Sequence, residues 1–309
     1  MSTARRLVLA LGLQSLAGLA VWLVVAVAAW YADTAALDLV TVLLLFGQLV
    51  VAPLGLLLVP ASGNRVADAL ARGGRFLLRI GGVAAIASLA VPRGELSAAV
   101  AAIYVVPALL VAAASVLRVR AIRGPSDIAP VGAGISLLIG ALFFVLHRQD
   151  VAFVGLPELA IQVSAVHFHF IGFGLVLMAG ALARRSPRLG TTAVYLLLGG
   201  TWLAPIGILV GSPIQTVAAA AVVAGLAALV AGTFPLLGDS RFPPAARRLH
   251  FVSIAFALFV GASAAWFVIG EAIGRTHIDI GTMARLHGTF AAIGVVFCGL
   301  LGWRLVEAR

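Results

Sequence analysis

Long apolar runs repeat from end to end of the chain, separated by short links rich in Arg, Pro, Gly and Asp. Crossing a hydrocarbon core of about 30 Å takes ~20 apolar residues in a helix. Inside lipid every backbone polar group must be paired within the protein, which restricts a spanning chain of this kind to helices. The pattern predicts ten spans, over residues 7–31, 37–60, 75–92, 95–117, 127–147, 156–183, 190–210, 214–237, 246–271 and 278–303. Pro92-Arg93-Gly94-Glu95 makes a tight hairpin between the third and fourth. The expected fold class is therefore all-α, a polytopic integral membrane bundle. We read it as one transmembrane domain over residues 1–309, with 1–148 as a scaffold half and 149–309 as a histidine-bearing half.

Composition agrees with the pattern. Of 309 residues, 62% are hydrophobic and 10% charged, against roughly 25% charged in soluble domains. The surface of a water-soluble fold of this size would go unclothed. One cysteine, Cys298, excludes a disulfide framework and reads as a small core residue. All 21 basic residues are arginine, and the net charge is +10. In a soluble domain that balance would point to nucleic acid, but here the arginines sit in the links between apolar runs. The positive-inside rule accounts for them, so no nucleic-acid partner is expected. If the N-terminus is cytoplasmic, seventeen arginines fall on that side and only Arg93, Arg148, Arg275 and Arg285 on the other. Both termini are thus expected to be cytoplasmic, in a multi-pass protein of the bacterial inner membrane. The first run, preceded by Arg5 and Arg6, is longer than the roughly 7–15 residues of a signal-peptide core, and we read it as an anchor.

Ionisable groups inside spans are costly, which makes them the default functional candidates. The sixth span carries Glu158, Gln162, His167 and His169. At about 100° per residue, Glu158, Gln162 and His169 fall on one stripe within about 40°, whereas His167 lies about 200° from His169. Both imidazoles sit about 15–18 Å along the span, and His287 about 14 Å along the tenth, so three imidazoles share one depth. Near the outer mouth of these spans lie Glu271, Asp279 and Arg285, the last two a potential ion pair. The seventh span, with Gly199, Gly200, Thr201, Trp202 and Pro205, is the one expected to break. Helix-end His147, His250 and His277 are expected to be solvated.

Two resemblances bear on these residues. Ala165-Val166-His167-Phe168-His169-Phe170-Ile171-Gly172-Phe173, followed by Arg285-Leu286-His287-Gly288 and Gly299-Leu300-Leu301-Gly302-Trp303, resembles the YndJ-like family of bacterial membrane proteins. The resemblance covers the last half of the chain and implies a transporter-type protein. Thr289 and Ala291 depart from the more polar stretch expected after the His-Gly element. Val166 to Phe170 is also similar to the helix of haem-copper oxidase catalytic subunits whose two histidines ligate different haems from opposite faces. There is no adjacent His-His pair and no His-x-x-x-Tyr element, so oxygen reduction is not expected. The resemblance implies at most one haem or transition metal, held by His287 with His167 or His169.

Three readings stand at this stage. One is a transporter-type protein whose binding residues are Glu158, Gln162, His167, His169 and His287, with Trp202, Glu271, Asp279 and Arg285 as secondary candidates, acting on a proton or small solute. The second is a haem or metal protein using His167, His169 and His287. The third is a structural protein whose buried histidines only join helices. No GxSxG, HExxH or paired-carboxylate constellation marks a hydrolase, and the question of catalysis stays open.

Overall fold

The computed structural model describes residues 3–32, 38–151, 154–211, 213–275 and 280–307. Among them the chain is helical, with no strand, in ten segments. These are α1 (Thr3–Ala32), α2 (Leu39–Leu56), α3 (Arg65–Leu89), α4 (Glu95–Ala102 and Val105–Arg118), α5 (Pro125–Gln149), α6 (Glu158–Ala183), α7 (Pro187–Val210), α8 (Ile214–Gly238), α9 (Pro244–Ala272) and α10 (Ile280–Met283 continuing as Arg285–Glu307). The protein is a polytopic membrane protein.

By length and composition eight of these helices can each cross a membrane, where the pattern predicted ten spans. The two that fall short are neighbours. α3 begins ten residues earlier than the pattern predicted and takes in Arg65, Asp68 and Arg72 besides Arg75 and Arg79. Its buried positions, among them Ala67, Gly74, Leu78, Gly81 and Ala85, recur at helical spacing. It is amphipathic where the other long helices are apolar throughout. α4 is bent by 43° between Ala102 and Val105 and would count as a ninth span only if its two arms are taken together. The bend has a local cause. Pro107 lacks the N–H that would bond the Ile103 carbonyl, and its ring crowds that carbonyl. The break expected in α7 is absent, since that helix runs unbroken through Pro205.

Burial identifies the centre. In α2 and α6, 83% of the apolar window is buried, against 22% in α1 and α9. Side chains of α2, α5, α6 and α10 fill the main core, including Phe46, Leu54, Leu137, Phe173, Val176 and Val296. The links also sort by end. The α3–α4, α5–α6 and α1–α2 links lie together, tied by Gly94 N–H to Arg148 C=O (2.9 Å), by Arg93 with Asp150, and by Gln162 with Asp38. The last turns of α2, α4 and α10 gather at the opposite end, where Arg118 donates to the Pro60 carbonyl and Arg304 to that of Leu57.

Candidate functional site at the centre of the bundle

Three of the central helices depart from α geometry where they meet. α2 is π-helical over Gly47–Val51, α6 over Phe168–Leu175, and α10 over Ala284–Gly288 and Phe290–Phe297. Such i→i+5 turns are rare and concentrate at functional sites. Here the π-helical stretches of all three helices touch one another. Phe46 sits at the junction, stacked on Phe170 (centroids 6.4 Å apart) and edge-on to Phe297 (5.7 Å). Close approach needs missing side chains. A Cβ on Gly174 would lie 2.6 Å from Val296 Cγ1, so α6 and α10 pack as near as they do because position 174 is glycine.

The π turn of α6 begins at Phe168, between the two histidines, and they have different surroundings. His169 is fully buried. Its Nδ1 lies 2.7 Å from the Ala165 carbonyl, which can only accept, so Nδ1 carries the proton and donates. Nε2 is then an acceptor for the Tyr104 hydroxyl, 3.1 Å away across a stacked pair of rings. The elbow of α4 delivers that tyrosine. Gly140 of α5 leaves the space, since a Cβ there would stand 2.7 Å from His169 Nδ1.

His167 is half-buried and has no hydrogen-bond partner among the described residues. It lies within electrostatic reach of His287. His287 is anchored on its other side. The Ser263 hydroxyl donates to Val260 C=O (2.9 Å), leaving its oxygen to accept from His287 Nδ1 at 3.2 Å. That tautomer leaves Nε2 of His287 with a free lone pair.

The remaining predicted residues lie elsewhere. Gln162 Nε2 donates to both Asp38 carboxylate oxygens and to Thr41 Oγ1, each at 3.0 Å, and Asp38 also caps α2 through Thr41 N–H. Glu158 pairs with Arg93, which Asp150 shares at 3.3 Å, on the exposed link. The stripe of Glu158, Gln162 and His169 therefore does not line one site, because each residue has its own partners. Trp202 Nε1 donates to Ser136 Oγ at 2.9 Å. Arg285 is exposed. Asp279, with His277, and the side chain of Glu271 lie outside the described residues. His147 and His250, expected to be solvated, are buried.

The family model of the YndJ-like proteins matches residues 42–295. The chain belongs to the YndJ-like family. The match takes in most of α2 and all of α3 to α5 as well as most of the second half, so it includes the π-helical stretches of α2 and α6 and nearly all of those in α10. No curated protein and no solved structure matches the chain.

Two polar residues of this YndJ-like chain escaped the reading of its pattern. Tyr104 looks like any apolar-run aromatic until α4 bends. Gln48 does stand out, as an amide inside an apolar run, and it is buried in the π turn of α2 with neither end of its amide partnered. Both belong to the half expected to be scaffold.

The residues do not fit a transition-metal ion held by protein side chains alone, and nothing in their arrangement supports a haem. Both nitrogens of His169 are already engaged within the protein. His167 and His287 alone fall short of the three or four protein ligands a transition-metal site requires. Among the described residues no three His, Cys, Asp or Glu side chains converge.

Proposed function

We propose that this protein is a transporter of the bacterial cytoplasmic membrane, its arginine-rich end and both termini cytoplasmic, which passes a proton or a small polar solute through the imidazole pair His167 and His287. The observation that carries this reading is that His167, with no hydrogen-bond partner among the described residues, lies within electrostatic reach of His287, which Ser263 orients through Nδ1. A proton arriving at His287 Nε2 is held by an imidazole already oriented through Nδ1. His167 is the next acceptor, and repulsion between two imidazolium ions opposes loading both at once. The π turns support the reading, since a helix that has broken its i→i+4 ladder changes register at lower cost than an ideal one. His169, with both nitrogens satisfied, is read as a structural residue that holds α4 against α6.

Proton flux into proteoliposomes, followed with an entrapped pH dye under an imposed membrane potential, tests the proposal. Flux well above that of empty vesicles is expected for the native chain, with a loss of tenfold or more in His167→Gln and His287→Gln. Native flux equal to that of empty vesicles, or full activity in the double variant, would overturn it.

A further inference from the structure

The last turn of α2 is clasped by two arginines. Arg118 donates to Pro60 C=O at 2.6 Å and pairs with Asp68 at 3.3 Å, while Arg304 donates to Leu57 C=O at 2.9 Å. A cation suits the negative end of a helix, which accounts for Arg304, while the Pro60 carbonyl in the link and the Asp68 carboxylate account for Arg118. Neither role accounts for Arg72 and Arg75. These lie three residues apart on α3, Arg72 exposed and Arg75 half-buried, and line a cavity of about 170 Å³ between α2 and α6 that opens to the surface. A single water needs only about 10–15 Å³. The floor is apolar, with Val111, Ala133 and Phe173, and Arg118 stands at the wall.

The charges in and around this cavity do not balance. Neither Arg72 nor Arg75 has a hydrogen bond or ion pair among the described residues. Arg75 is close enough to Arg304 for the two cations to repel, and Arg304 keeps a buried Nε with no partner. The carboxylate in the cavity wall, Asp68, already accepts from the Ser62 amide and hydroxyl, both at 2.9 Å, as well as from Arg118. Glu307 acts on Arg304 and pairs with Arg184, so the cavity itself, lined by Arg72, Arg75 and Arg118 with Asp68 as its one carboxylate, is short of negative charge.

We infer that this cavity binds a phosphate group. Guanidinium forks pair bidentately with carboxylates and phosphates, and two uncommitted arginines lining one space suit the oxygen-rich phosphate over a two-oxygen carboxylate. The cavity opens beside the ends of α2 and α4, and basic pockets between helix ends are where anionic headgroups are held. The phosphate belongs either to a free anion or to a phospholipid headgroup. The inference is independent of the histidine reading, since no residue is common to both.

The test uses the full-length chain in neutral detergent. One arm follows the thermal unfolding midpoint during titration with inorganic phosphate, against chloride at equal ionic strength. The other measures retention of phosphatidylglycerol against phosphatidylcholine by native mass spectrometry. Saturable stabilisation by phosphate assigns the site to a free anion. Selective retention of phosphatidylglycerol without it assigns the site to a lipid. In either arm the response should weaken at least tenfold in Arg72→Gln with Arg75→Gln, and stay unchanged in Arg120→Gln, a change at an exposed position outside the cavity. If the glutamine pair does not fold, Arg72→Lys with Arg75→Lys, which keeps the charge and loses the fork, should weaken it several-fold. No saturable response in either arm, or a response in the double variant equal to that of the native chain, would overturn the assignment.

Discussion

The centre of the bundle and its arginine-rich end handle polar groups in opposite ways. At the centre they are neutral and mostly matched one to one: His169 with Tyr104 and Ala165, Trp202 with Ser136, His287 with Ser263. At the end, guanidinium groups outnumber the carboxylate beside them, and a cavity separates them. Low dielectric explains the difference. A charge in the core of a membrane protein is too costly to leave without a partner, whereas near the headgroups water and anions share the burden. Exceptions at the centre, His167 and Gln48, are for that reason the informative residues there.

The largest effect that sharpens this comparison is expected at the arginine-rich end. Arg118→Ala leaves Pro60 C=O and the Asp68 carboxylate short of a donor in a mostly buried setting, and should cost about 3 kcal/mol. Arg72→Ala, a few residues away in space but without partners, should change stability by less than about 0.5 kcal/mol. Reversible unfolding in mixed micelles measures both, and equal losses would erase the distinction between clasp and cavity. At the centre, Tyr104→Phe removes a single hydrogen bond. Such bonds in membrane proteins are worth about 0.6–1.7 kcal/mol, so a loss near 1 kcal/mol is expected, with proton flux unchanged. A flux defect as deep as that of His167→Gln would move His169 into the conducting path.

The smallest effect concerns acid. Hydrogen bonds from the Ser62 amide and hydroxyl, with the Arg118 guanidinium, hold the Asp68 carboxyl below its ordinary value of 3.8. A carboxyl that is more acidic when folded contributes stability that is complete above 3.8 and disappears as pH falls through the lower folded value. Unfolding midpoints measured from pH 6 downward should therefore turn down near about pH 4, and less steeply in Asp68→Asn. Identical acid limbs in the two proteins would show that this carboxylate contributes nothing.

Much of the architecture was legible along the chain. Apolar runs located all ten helical segments, and length and apolarity alone qualify eight of them as spans, charge density in α3 and a bend in α4 setting those two apart. The candidate residues were legible one at a time but not in combination. A rise of 1.5 Å per residue predicts one depth for His167 and His287, and the two lie within electrostatic reach. Azimuth was less reliable. Rotating by 100° per residue put Glu158, Gln162 and His169 on one stripe, yet each found a separate partner, and the π turn starting at Phe168 alters the rotation between the histidines themselves.

Membrane class and helical content follow from the sequence alone, because they depend on local quantities: apolar length and the cost of charge in lipid. Which polar groups meet was decided only by tertiary structure. Tyr104 reaches His169 from 65 residues away and Gln162 reaches Asp38 from 124. Those meetings depend on a proline bend, on glycines that let helices close together, and on π turns that re-aim side chains. Each of these acts through packing between distant segments, which no local pattern records.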